Sequence, residues 1–225
     1  MHKYCKYGLI PALILFLIIN FVIYFPFGDK KSTSKQHLYE NPTEIVTVSV
    51  FYEALCSDSK NFIVNQLKHV YEDLRKNINL DLVPYGKAQT IEEDGQISFI
   101  CQHGKTECIG NKIHACVLHL ILDQGDQLKY VACMISDNVV PFMALEKCGK
   151  EVGIDYNPMI ECANGNLGSQ LLKTYGERTH AVKPKIDFIP TVQFNGSLDV
   201  PLAQVLKHFR KELCALYKNP PKGCL

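Results

Sequence analysis

Residues 45–52 read IVTVSVFY, a β-branched and aromatic run that predicts a buried strand. The period then changes. From Ser57 to about Lys76 the apolar positions Phe62, Ile63, Leu67, Val70 and Leu74 fall on one side of a helix. INLDLVPYG (78–86) is a second strand, ended by Pro84 and Gly86. Strand, helix and strand in this order predict a βαβ unit with parallel strands and a right-handed crossover.

From Cys101 to about Val182 no strand pattern recurs. ACVLHLILDQ, VVPFMALEKCGKEV and SQLLKTYGE carry helical patterns instead. FIPTVQFNGSLDV (188–200) predicts a β-hairpin turning at Asn195-Gly196. PLAQVLKHFRKELCALY (201–217) predicts an amphipathic helix with Pro201 at its start. The order β-α-β, helical insert, β-β-α is that of a thioredoxin-like α/β domain, with a helical, cysteine-rich insertion between the second strand and the strand after Pro190. The expected division is an N-terminal segment (1–34), then one domain (35–225) with a core at 45–100 and 183–217 and an insert at 101–182.

The N-terminal segment alters where that domain is expected to reside. A short basic lead precedes GLIPALILFLIINFVIYFPF (8–27), which carries no charge and is long enough to span a bilayer. It reads either as a cleaved signal peptide or as an uncleaved signal-anchor that would attach the chain to a membrane. KKSTSKQHLYENP (30–42) is a polar linker. Both readings send the remainder into the secretory lumen. A net charge of +1 in 225 residues, with no long single-sign run, gives no indication of a nucleic-acid partner.

Ten cysteines suit an oxidising compartment. Paired Cys-x-x-Cys zinc spacings are absent, and no metal is expected. Cys5 precedes the membrane-length segment and stands apart. Nine remain, so one lumenal cysteine stays free or pairs outside the chain. Parity favours Cys56 as that one. The other eight (Cys101, Cys108, Cys116, Cys133, Cys148, Cys162, Cys214 and Cys224) can close four bridges, of connectivity that the sequence leaves open.

Cys56 lies where the first strand gives way to the helix. A thiol there meets the unsatisfied N–H groups and positive dipole end of the helix, which stabilise the thiolate, the attacking form. In a thioredoxin-like fold a proline at the place of Pro190 is cis and lies across from the reactive cysteine. CQHGKTECIGNKIHAC (101–116) reads as a disulfide-stapled loop with a Gly turn, solvated His103 and His114, and a helix starting near Lys112.

This last stretch carries a resemblance. Cys101, Gln102, His103, Gly104, Glu107, Cys108, Asn111 and Cys116 match, at every fixed place, the signature of the gamma-interferon-inducible lysosomal thiol reductase (GILT) family. VSVFYEALCSDSKNFI, LVPYGKA and IPTVQFNG also resemble that family's landmarks, and the likeness spans roughly residues 45–216. It implies reduction of protein disulfides in endosomal or lysosomal compartments reached by the secretory route, or after secretion, often with glycosylation.

The family's catalytic pair is Cys-x-x-Cys. Cys56 matches its attacking cysteine, and Ser59 stands where the resolving cysteine belongs. A serine closes the intramolecular exit from the mixed disulfide, so an external small thiol such as glutathione or cysteine must serve as reductant. No cofactor is expected. The expected partners are disulfide-bearing proteins and the small thiol. Asn195-Gly196-Ser197 is the one N-glycan acceptor pattern. The competing reading is a non-catalytic module of the same fold that captures unfolded or disulfide-containing chains.

Overall fold

The computed structural model describes residues 44–225. The membrane-length segment 8–27, the linker and Cys5 lie outside the described residues. Strand β1 (Val46–Tyr52) is central in a sheet of order β2-β1-β5. It pairs in parallel with β2 (Ile78–Pro84), with Val46 opposite Ile78, and antiparallel with β5 (Thr191–Phe194), with Val50 opposite Val192.

Alternation along β1 divides the interior. Val46, Val48, Val50 and Tyr52 enter the main core, whereas Phe51 joins Cys56, Val83, Val182 and Ile189 in a smaller cluster around the thiol. Between β1 and β2 runs the expected helix: α1 (Ser57–Phe62), a π-helical segment (Ile63–Leu67) and α2 (Lys68–Leu74). Helix α8 (Leu202–Cys214) closes the main core. Its Phe209 ring meets Phe62 edge-on at 5.1 Å and stacks on Phe194 at 6.1 Å.

The insert consists of α3 (Gly104–Leu120), α4 (Gln124–Ser136), α5 (Pro141–Val152), α6 (Asn157–Asn164) and α7 (Asn166–Ala181). The pattern at 115–124 breaks after Leu120 because the Asp123 carboxylate accepts from the Asp126 N–H and caps α4.

Two expectations about the elements need correction, and one hairpin adds to them. Helix α3 begins at Gly104 rather than near Lys112, because Glu107 folds back to accept from the His103 N–H (3.0 Å) and caps the first turn. The 188–200 hairpin shrinks to β5 and a single bridge, Phe194 to Ser197, around the Asn195-Gly196 turn. Its return strand fails because Pro201 opens α8 and the intervening residues run as a loop. A hairpin not expected from the sequence, β3 (Gln89–Glu93) with β4 (Gln96–Ile100), turns at Asp94-Gly95, both at positive φ.

The eight cysteines form four bridges, Cys101–Cys108, Cys116–Cys162, Cys133–Cys148 and Cys214–Cys224. The second ties buried α3 to α6 across 46 residues. Closing a loop of that length restricts the unfolded chain by about 4 kcal/mol. Replacing Cys116 and Cys162 together by alanine should lower unfolding stability by about that amount. Urea titration checks this, and a loss below about 1 kcal/mol would show that helix packing alone holds the insert.

Candidate active site

Cys56 is the N-cap of α1, with φ −69° and ψ 123°. Its Sγ accepts from the Ser59 N–H at 3.5 Å, so a helix N-terminal donor faces the place where thiolate charge would sit. The thiol points the other way to the Ile189 carbonyl, 3.6 Å off. Ile189–Pro190 is cis, as is Lys183–Pro184, a second proline that the sequence reading did not single out. The structure thus brings Cys56, Ser59 and the Pro190 loop together. Among the described residues Cys56 is the one free cysteine.

Ser59 is fully buried, and its Oγ accepts from the Glu53 N–H at 3.4 Å. Asn195 lies far along β5 from this site, exposed at its turn, with its Oδ1 accepting from the Thr47 N–H at 2.8 Å.

A cleft of about 210 Å³ opens beside the sulfur, lined by Glu53, Cys56, Asp58, Lys87, Gln102, His103 and Phe188 among others. The 101–116 signature builds one of its walls. Gly104 takes φ +80°, a left-handed turn that the Cβ of another residue would strain. Asn111 Oδ1 accepts from the Ala54 N–H at 2.8 Å, and Asn138 of the α4–α5 loop donates to the Ala54 carbonyl at 3.3 Å. Both polar faces of the peptide chain just ahead of Cys56 are therefore held by the insert.

The two histidines of the signature differ. His114 is not solvated as expected but wholly buried, sharing a hydrogen bond with the Tyr52 hydroxyl (3.1 Å). Burial lowers its pKa to about 3. His103 is partly exposed on the cleft, and its Nδ1 stands 2.5 Å from Glu107 Oε2 and 3.6 Å from Glu53 Oε2. Sequence reasoning missed Glu53, although it lies three residues before Cys56. Its Oε1 accepts from the Lys87 N–H at 2.7 Å, while its buried Oε2 has no hydrogen-bond partner. Burial raises the Glu53 carboxyl, and the Glu107 charge adds to the shift.

One nitrogen and two carboxylate oxygens lie within 4.8 Å of one another here. A 2.5 Å contact is nevertheless a hydrogen bond: ligands about 2.0–2.1 Å from one tetrahedral cation stand more than about 3 Å apart.

An N-capping thiol set against a cis-proline loop, at the end of the central strand of this sheet, defines a thioredoxin-like thiol–disulfide oxidoreductase. The fold is similar to that of DsbA from Chlamydia trachomatis, with a TM-score of 0.53 at 16% identity over 78% of this chain and 91% of that one. The profile described as "Gamma interferon inducible lysosomal thiol reductase (GILT)" matches residues 47–152, and the chain belongs to that family. Its relatives include a gamma-interferon-inducible lysosomal thiol reductase-like protein of Anopheles gambiae, 37% identical over 196 residues and 80% of each chain. The gamma-interferon-inducible lysosomal thiol reductase of Mus musculus is 31% identical over 183 residues, covering 80% of this chain and 71% of that one.

Proposed function

We propose that this chain reduces protein disulfides through Cys56 as a single nucleophile, with an external small thiol completing each cycle in the lumen of the secretory or endolysosomal system. The observation that carries the reading is the pairing of a free, N-capping Cys56 with a buried Ser59 at the position of a resolving cysteine. The Cys56 thiolate attacks a substrate disulfide, forming a mixed disulfide and releasing one substrate thiolate. Ser59 has no thiol with which to displace the remaining substrate sulfur.

The exposed apolar side chains Phe188, on the cleft, and Val139 and Val140, beside the Asn138 contact with Ala54, favour partly unfolded proteins as the disulfide carriers. The same surface favours the second reading, capture of such chains without turnover. Reduction of a disulfide-bearing protein, assayed with and without millimolar cysteine, separates the two. Turnover only with added thiol is the expected result. Absence of turnover under both conditions, with binding retained, would leave the capture module.

Lumenal residence carries a further expectation. Asn195, exposed and followed by Gly196-Ser197, should bear an N-glycan, seen as a faster-running band after glycosidase treatment. Unchanged mobility would exclude the modification.

A further inference from the structure

The single-thiol reading leaves one chemical task without an agent. An incoming small thiol of pKa ~8.5 is almost wholly protonated in a mildly acidic lumen, yet only its thiolate attacks a disulfide. We propose that His103 is the general base that deprotonates the small thiol entering the Cys56 cleft, with Glu107 and Glu53 as positioning residues behind its ring. The proposal rests on the single-thiol reading and assigns the proton traffic within it.

The geometry of the ring carries the inference. Both Glu107 oxygens are engaged by His103: Oε1 accepts from its backbone N–H at 3.0 Å, and Oε2 stands 2.5 Å from Nδ1. A carboxylate so placed keeps the ring proton on Nδ1 and leaves Nε2 as the acceptor. The ring is 38% exposed and shares the cleft with Cys56, whereas the two carboxylates behind it are buried. Glu53 Oε2 has no hydrogen-bond partner and lies 3.6 Å from the same Nδ1, so a second acceptor faces the ring when it becomes cationic.

Glu53 lies where only a glycine at position 86 leaves room for it. A Cβ on residue 86, itself at φ +61°, would come within 2.2 Å of Glu53 Cγ. Glu53 and Glu107 face the ring from the β1–α1 turn and from α3, and Asp58, Lys87 and Cys56 form other walls of the cleft. A purely structural cap on α3 would need Glu107 and the His103 backbone alone. It gives no reason for a buried, unpartnered Glu53 oxygen on the imidazole.

Cys56 holds the substrate as Cys56–S–S–R. His103 Nε2 takes the proton of a small thiol R′SH. The thiolate R′S⁻ attacks Cys56 Sγ, the old S–S bond breaks, and R–S⁻ leaves and receives the proton from His103. A second R′SH, deprotonated in the same way, attacks the R′ sulfur of Cys56–S–S–R′. It releases the Cys56 thiolate and R′–S–S–R′, and the proton left on His103 passes through solvent to the substrate thiolate set free when Cys56 first attacked. The substrate disulfide gains two electrons and two protons, and two small thiols are oxidised to one disulfide.

The test follows decay of the isolated Cys56 mixed disulfide at pH 5.5, with cysteine or with an aryl thiol acidic enough to arrive substantially ionised. His103→Gln should still form the mixed disulfide, which reports a folded site. It should then resolve it with cysteine about 10²-fold more slowly, and with the aryl thiol at close to the wild-type rate. Glu107→Gln should show the same thiol-dependent pattern with a smaller loss. His103→Gly should regain rate when free imidazole is added. Wild-type resolution by His103→Gln with cysteine, or an equal loss with both thiols, would overturn the role while leaving the single-thiol reading intact. Failure of wild type to form any Cys56 adduct would overturn that reading, and this role with it.

Discussion

A Ser59→Cys variant is expected to reduce a disulfide-bearing protein without added thiol, and Cys56→Ser to lose both adducts and turnover. Wild-type protein should accumulate long-lived mixed disulfides, because the first exchange proceeds and the usual intramolecular second step has no sulfur. Positions 56 and 59 are already in register for the missing step, since the Ser59 N–H touches Cys56 Sγ at 3.5 Å across the first helical turn. Serine to cysteine keeps the side-chain shape but replaces the buried Oγ that accepts from the Glu53 N–H with a weaker acceptor, a cost of about 1 kcal/mol. A thiol held in that turn acts at an effective concentration far above that of a millimolar reagent. Adduct lifetime should therefore fall about 10²-fold or more. Non-reducing electrophoresis after acid trapping measures it for wild type and both variants. Adducts of equal lifetime in wild type and Ser59→Cys would mean that position 59 cannot reach the adduct sulfur.

The second large effect is loss of stability in acid through His114. Its folded pKa of about 3 lies below the usual ~6.5 of an unfolded-chain histidine. The unfolded chain therefore binds a proton as pH falls through ~6.5, and the folded chain does not until about 3. This contribution to stability is complete above ~6.5 and is lost progressively as pH falls toward 3. Between pH 7.5 and 5 the loss amounts to about 2 kcal/mol. His114→Gln keeps a polar partner for Tyr52 and does not titrate. It should be less stable than wild type at pH 7.5, but its decline to pH 5 should be smaller by about 2 kcal/mol. Urea unfolding at the two pH values tests this. An identical decline in both proteins would place the acid sensitivity elsewhere.

The structure separates what the chain made legible from what it did not. Cys56 and Pro190 were readable because each stands at a boundary where the hydrophobic period changes, and their meeting follows from the order of elements. Cysteine parity singled out Cys56. The four pairings were not readable, because partners such as Cys116 and Cys162 meet only through the crossing of α3 and α6.

The β3–β4 hairpin has a legible sign in Asp94-Gly95, flanked by TIEE and QISFI. The polar loop before His114 makes it look solvated. Its neighbours Ile113, Ala115, Cys116 and Val117 are buried as well, so this stretch of helix is covered on all sides. Glu53 looked like an ordinary polar residue after a strand. Only folding of the signature loop against the β1–α1 turn brings it to His103.

The grip on Ala54 has a consequence for engineering. Because Asn111 and Asn138 satisfy the N–H and carbonyl of that one residue from two separate parts of the insert, the five helices are not an ornament on a portable redox core. A strand-and-helix transplant carrying residues 46–74 into a bare thioredoxin scaffold would arrive with two buried peptide groups bereft of partners, each a penalty of about 1–3 kcal/mol. The reactive turn is shaped by a region more than fifty residues downstream, and the two would have to be moved as one piece.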